Sequence, residues 1–117
     1  MSRAEREKGA EAEREVAAIL TAAGFPASRN ARNGKSAEDI AHAIPGVYLE
    51  VKRRETTKIW EWIAQAREDC HRSGDHMRTG LGLWPRTPLV VFRRNRSEWL
   101  ACLPLDDLLE LLPKGEK

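Results

Sequence analysis

The sequence predicts an α/β domain with a mixed central β-sheet flanked by helices, its elements ordered α-β-β-β-α-β-β-α. Three observations carry this reading. Residues 3–23 show a helical apolar period, Val47 to Lys52 alternates with a period of two, and a second helical segment over 58–72 stands between that strand and the apolar run Pro88 to Phe92. A helix between two strands reads as a crossover. The Pro45-Gly46 turn and the polar 93–98 turn read as antiparallel connections, so the sheet is expected to be mixed.

Each element has its own signal. In the first helix Val16, Ile19, Leu20 and Ala23 recur at helical spacing, and Gly24 follows as a stop. Phe25 to Arg29 is short and extended, and residues 30–38 carry Asn, Arg, Gly, Lys and Ser without an apolar anchor, as a loop does. Asp39 to Ala43 is a short strand, and Pro45-Gly46 turns the chain into Val47 to Lys52. There Val47, Leu49 and Val51 are expected on the core face, with Tyr48, Glu50 and Lys52 opposite. Ile59, Ile63, Ala66 and Cys70 form the inner stripe of the 58–72 helix. Trp60 and Trp62 are too close to share one face, so one of them is expected outside. Residues 73–87 read as a Gly-, Arg- and Pro-containing connection, Pro88 to Phe92 as a buried strand, and Trp99 to Leu103 as its antiparallel partner. Leu105 to Leu112 reads as a short core helix closed by Pro113.

At 117 residues one domain, residues 1–117, is expected. Apolar residues make up 41% and charged residues 32%, a soluble globular composition too apolar for a disordered chain. No apolar run approaches the roughly 20 residues of a membrane helix. The charged start, Met-Ser-Arg-Ala-Glu-Arg-Glu-Lys, does not read as a secretory leader. Cys70 and Cys102 make no disulfide framework and read as reduced thiols, which points to the cytoplasm. With His71 and His76 they fall short of a zinc pattern, and Gly80-Leu81-Gly82 lacks the ending of a phosphate loop.

The net charge is only +2, but residues 29–96 hold fourteen basic against eight acidic side chains, a local excess of +6. That is a moderate footprint for a polyanion such as nucleic acid. Arg32, Lys35, Arg53 and Arg54 lie in this stretch beside the acids Asp39 and Glu50.

Glu50 and Lys52 sit two apart on one strand and so share a face. Glu-x-Lys alone is common on solvated strands. Asp39, opening the preceding strand, adds a second carboxylate. One or two carboxylates with waters and substrate oxygens suit Mg²⁺, and a metal so held activates a water and polarises a phosphoryl oxygen. Glu13 falls on the helix face of Val16 and Leu20, so an acid points along an apolar stripe and needs a partner, for which Arg6, two turns earlier, is a candidate.

Lys8 to Glu15, Gly24 to Arg29, Asp39-Ile40 and Leu49-Glu50-Val51-Lys52 together resemble the archaeal-type Holliday-junction resolvases of the PD-(D/E)xK nuclease superfamily. The resemblance covers roughly residues 3–54. It implies a restriction-endonuclease-like core and a homodimer that resolves four-way DNA junctions with Mg²⁺ or Mn²⁺. It implies a catalytic set of Glu13, Asp39, Glu50 and Lys52, with Asp39, Glu50 and Glu13 toward the metal. Arg14, Arg29 and the loop serine Ser36 would lie by the DNA backbone. After Arg54, residues 58–66 and 93–99 look more like small phage-encoded nucleases of the same superfamily, and there a helix glutamine, Gln65, is a candidate for supporting the site. If phage-encoded, the protein would work in the host cytoplasm. The expectation is a metal-dependent, structure-selective DNA endonuclease. The alternatives are a nuclease of the same superfamily acting on flaps, ends, mismatches or duplex, and a non-catalytic DNA-binding module whose acids are structural.

Overall fold

A computed structural model describes residues 2–30, 38–72, 76–79 and 82–115. Helix α1 spans Arg3–Ala22 and is capped by Ser2, whose Oγ accepts the Glu5 N–H at 3.1 Å. Gly24 takes the left-handed φ of 98° that closes the helix, and Phe25 N–H donates back to Leu20 O. Thr21 then ties the helix end to the next strand. Its hydroxyl accepts the Ala27 N–H and donates to Ala27 O, both at 3.1 Å.

Among the described residues the order continues through β1 (Ala27–Arg29), β2 (Ile40–His42), β3 (Val47–Arg53), α2 (Ile59–Arg72), β4 (His76–Thr79), β5 (Gly82–Pro85), β6 (Thr87–Arg93), β7 (Leu100–Cys102) and α3 (Leu105–Leu111). The central sheet has the order β3-β6-β7, with β3 parallel to β6 and β7 antiparallel to it. The parallel pair is bridged by α2, as the crossover expectation required. The 93–98 turn joins β6 to β7 as an antiparallel pair.

Strands β3 and β6 have a helix on each face. Ala12, Val16 and Ala17 of α1 pack with Val47, Leu49, Val51 and Ile40 on one side. On the other, Trp62, Ala66 and Cys70 of α2 pack with Tyr48, Val90 and Phe92, and Trp62 meets Phe92 at 5.7 Å between ring centroids. Trp60 is 88% exposed, which fulfils the expectation that one of the two tryptophans lies outside.

Five expectations need correction. Tyr48 and Glu50, expected opposite the core face, lie on a second core face: α2 covers that side, and Tyr48 has no exposure at all. Asp39 to Ala43 does not form a hairpin with β3, because β2 pairs antiparallel with β1 and β3 with β6. Residues 73–87 contain a further antiparallel pair, β4 with β5, so two strands join the predicted order. Ile19 points outward, and the buried stripe of α1 is instead Ala10, Ala12, Glu13, Val16 and Ala17. Helix α3 is not core: none of its residues is buried, and Leu105 is 68% exposed. A period marks which face of an element is apolar, but not whether another element arrives to cover it.

Candidate active site

The site is built on the edge of β3 that faces away from β6. Asp39 N–H donates to Leu49 O at 3.2 Å, as a paired strand would. The ladder goes no further, because side chains take over. Leu49 N–H donates to Glu38 Oε2 and Val51 N–H donates to Asp39 Oδ2, both at 2.7 Å. Two successive carboxylates thus replace the carbonyls of a neighbouring strand. This satisfies buried backbone donors, which are costly to orphan. It also explains why β2 is free to pair with β1.

The same bonds place Asp39, 2% exposed, against the amide that follows Glu50, itself 8% exposed. Lys52 lies on the Glu50 face, its Nζ 3.3 Å from Glu50 Oε1. Asp39, Glu50 and Lys52 therefore gather at one place, two acids and a cation at a largely buried edge.

Glu13 comes from α1, on the other side of β3. It is 4% exposed, as its place on the apolar stripe predicts, and Arg29 is its partner, with Nε donating to Oε1 at 2.9 Å. Arg29 stands opposite Ile40 in the β1–β2 ladder, and Asn30 N–H donates to Asp39 O at 3.0 Å. The Glu13–Arg29 pair is thus linked to Asp39 through the backbone.

A family match supplies the context for this geometry. The family described as phage putative PDDEXK endonuclease matches residues 4–116. The chain belongs to that family. No curated protein matches the chain. Among solved structures it is similar to the Holliday junction resolvase Hjc of the archaeal hyperthermophile Archaeoglobus fulgidus. The identity is 22% and the TM-score 0.49, over 94% of this chain and 80% of that one.

In this PDDEXK endonuclease-family chain Asp39 and the Glu50-Val51-Lys52 tripeptide stand in the order Asp, then Glu-x-Lys, and the residue immediately before Asp39 is Glu38. Sequence reasoning missed Glu38, and the structure gives it a clear task. Its carboxylate accepts from Arg86 Nη2 at 2.7 Å on both oxygens and from His42 Nε2 at 2.6 Å. Because Ile44 N–H donates to His42 Nδ1 at 3.0 Å, the neutral ring must carry its proton on Nε2, directed at Glu38. Arg86 also donates through Nε to Val47 O at 3.0 Å and lies 5.5 Å over the Tyr48 ring. An acid immediately before Asp39 was visible in the sequence. Its cation, 48 residues away, was not.

Tyr48 also escaped notice. Burial first, and then the negative charges of Glu50 and Asp69, push its phenol well above the ordinary tyrosine range, and its buried hydroxyl has no hydrogen-bond partner among the described residues. Gln65 is exposed on α2 and donates to Asp69 at 3.0 Å.

The remaining predicted DNA-contact residues divide. Arg14 is exposed on α1, Arg54 is exposed past the end of β3, and Arg53 is partly buried 4.0 Å from Glu11. Arg32, Lys35 and Ser36 lie outside the described residues. Among the described residues, no three His, Cys, Asp or Glu side chains form a ready cage for a metal. Two carboxylates beside a lysine fit a different kind of site, one completed by waters and substrate oxygens, as Mg²⁺ prefers.

Proposed function

We propose that this chain is a Mg²⁺-dependent, structure-selective endonuclease that resolves four-way DNA junctions by phosphodiester hydrolysis, with Mn²⁺ able to substitute. The observation that supports it most is the gathering of Asp39, Glu50 and Lys52 on one buried strand edge, in a chain of the PDDEXK endonuclease family. Two adjacent acids in so dry a place are costly unless a cation shares them.

Asp39 and Glu50 hold the divalent cation. When bound, it lowers the pKa of a coordinated water and stabilises charge on the phosphoryl oxygens. Lys52 orients the attacking water and neutralises the scissile phosphate. Its position beside Glu50 keeps the ammonium at the reacting centre without a large conformational search. Glu13, restrained by Arg29, would add a third acid toward that cation. Arg14, Arg29, Arg53 and Arg54, with Arg32, Lys35 and Ser36, contact the DNA backbone. Symmetric cuts in two strands require two sites, so the reading includes a homodimer.

Asp39→Ala and Glu50→Gln should each abolish Mg²⁺-dependent cutting while junction binding in Ca²⁺ persists. Cleavage by either variant at the wild-type rate sinks the assignment. Four-way, flap and linear duplex substrates compared at equal concentration decide the substrate. Equal rates on all three would leave the endonuclease and remove the junction preference. Sedimentation velocity tests the dimer.

A further inference from the structure

The β6–β7 turn has no place in the mechanism above, yet it is unusually charged and unusually well held. Residues 52–58 and 93–98 carry seven Lys or Arg against two Glu, a net +5. The whole chain has +2, so everything outside these two stretches sums to −3. The fold brings the stretches together: Arg53 is opposite Arg93 in the parallel ladder, and Arg54 N–H donates to Arg93 O at 3.1 Å.

The turn is anchored rather than loose. Asn95 N–H donates to Glu55 Oε1 at 3.1 Å, and Arg53 Nε donates to Asn95 Oδ1 at 3.3 Å, so both ends of β3's exit hold it. Within it Ser97 N–H donates to Arg94 O, and Arg94 Nε donates to Ser97 Oγ at 3.2 Å. Two acids of α1 reach this surface from beneath, and Glu98 stays exposed within the turn. Glu15 of α1 binds Arg93 and the Trp99 indole, and Glu11 approaches Arg53. Arg94 and Arg96 stay exposed on top.

Arg96 adds a second, independent observation. Its φ is 61°, the left-handed region, and it is the one non-glycine residue with positive φ among those described. Glycine or asparagine would adopt that conformation at lower cost. An arginine kept at a strained position points to a use for its side chain.

We infer that the β6–β7 turn and the exit of β3, presenting Arg94, Arg96 and Arg54, form a docking ledge for the phosphate backbone of a DNA duplex arm. Arg54 stands two residues beyond Lys52, so a duplex seated on the ledge would continue toward the reacting edge. Arginine suits the task because its planar donors pair with phosphate and stay charged. The contacts read no sequence, because they reach backbone and not base edges. This inference rests on the reading of the chain as a DNA endonuclease and gives that site a path for its substrate.

The test measures fluorescence anisotropy of full-length protein with a labelled four-way junction in Ca²⁺ across a salt series. Arg96→Gly should keep or raise the melting temperature, since glycine relieves the backbone, yet flatten the slope of log K against log salt by about one. Arg94→Ala combined with Arg96→Gly should flatten it by about two and weaken binding roughly tenfold or more at moderate salt. Arg96→Lys should restore most of the affinity. Wild-type affinity and slope in the double variant overturn the ledge, as does a fall in binding no larger for Arg96→Gly than for Arg96→Lys. A wild-type protein that binds with the expected slope dependence but never cuts fails the nuclease reading and leaves the ledge standing.

Discussion

Arg86 is the cation on which the buried acid Glu38 depends. The two side chains are 13% and 8% exposed, and Glu38 in turn holds the Leu49 amide beside the Asp39 contact. Replacing Arg86 with methionine preserves much of its volume while leaving a buried carboxylate without its charge partner. Breaking such a pair from one side costs about 3–5 kcal/mol. Glu38 keeps two donors, the His42 ring and the Leu49 N–H, so the lower end, about 3 kcal/mol, is expected. Against a typical domain stability of about 5–15 kcal/mol that is a large fraction. Glu38→Gln combined with Arg86→Met should recover about half of it, because a neutral amide oxygen still accepts from Leu49 and no charge is stranded. Urea unfolding followed by far-UV circular dichroism reads the result as a midpoint shift at constant m. A loss under about 1 kcal/mol for Arg86→Met, or a double variant as unstable as the sum of the singles, would refute this account of the cluster.

Three further outcomes follow from the same contacts. Tyr48→Phe removes a buried hydroxyl without a partner among the described residues and should be neutral or stabilising by up to about 1 kcal/mol. Since the folded phenol titrates above its unfolded value of 10.0, its contribution is present below that pH and is lost as pH rises past it; melting temperatures above pH 10 should therefore fall less steeply in the variant, and identical alkaline profiles would contradict the burial argument. Glu15 is lowered from 4.5, first by the Trp99 indole and then by Arg93, so the stability it provides is present above 4.5 and lost as pH falls below it. Glu15→Gln should flatten the acid limb of the melting profile, by under about 1 kcal/mol because the side chain is 38% exposed. Trp62→Ala should cost about 3–5 kcal/mol and Trp60→Ala within about 0.5 kcal/mol, as equilibrium unfolding would report; equal costs would contradict the packing of α2.

Much of the site was legible because its parts are local. Glu50 and Lys52 share a face by the pleat, Asp39 precedes them at a strand start, and Glu13 interrupts an apolar stripe, so its burial could be expected from spacing alone. A second partner of Glu13 could not: Arg6 is a candidate two turns earlier on the helix, but Arg29, which pairs with Glu13, reaches it from β1. Nor could Glu38 be distinguished from an ordinary loop acid until Arg86 and His42 closed around it. The basic turn at 93–96 was visible as composition, but its apposition to Arg53 and Arg54 exists only through the β3–β6 register.

By itself, then, the sequence determined the helices, the two long strands with their crossover, and the acids and lysine proposed to carry the chemistry, because these depend on side-chain period and on residues a few positions apart. The tertiary structure decided which edges pair and which faces stay open. It left the leucines of α3 exposed and buried the Tyr48 face under α2. It also gave two backbone donors of β3 to the carboxylates of Glu38 and Asp39 instead of to a neighbouring strand. The physical reason is that a period records the polarity of a surface, whereas burial and hydrogen-bond pairing depend on partners brought together from 11, 12 and 48 residues away.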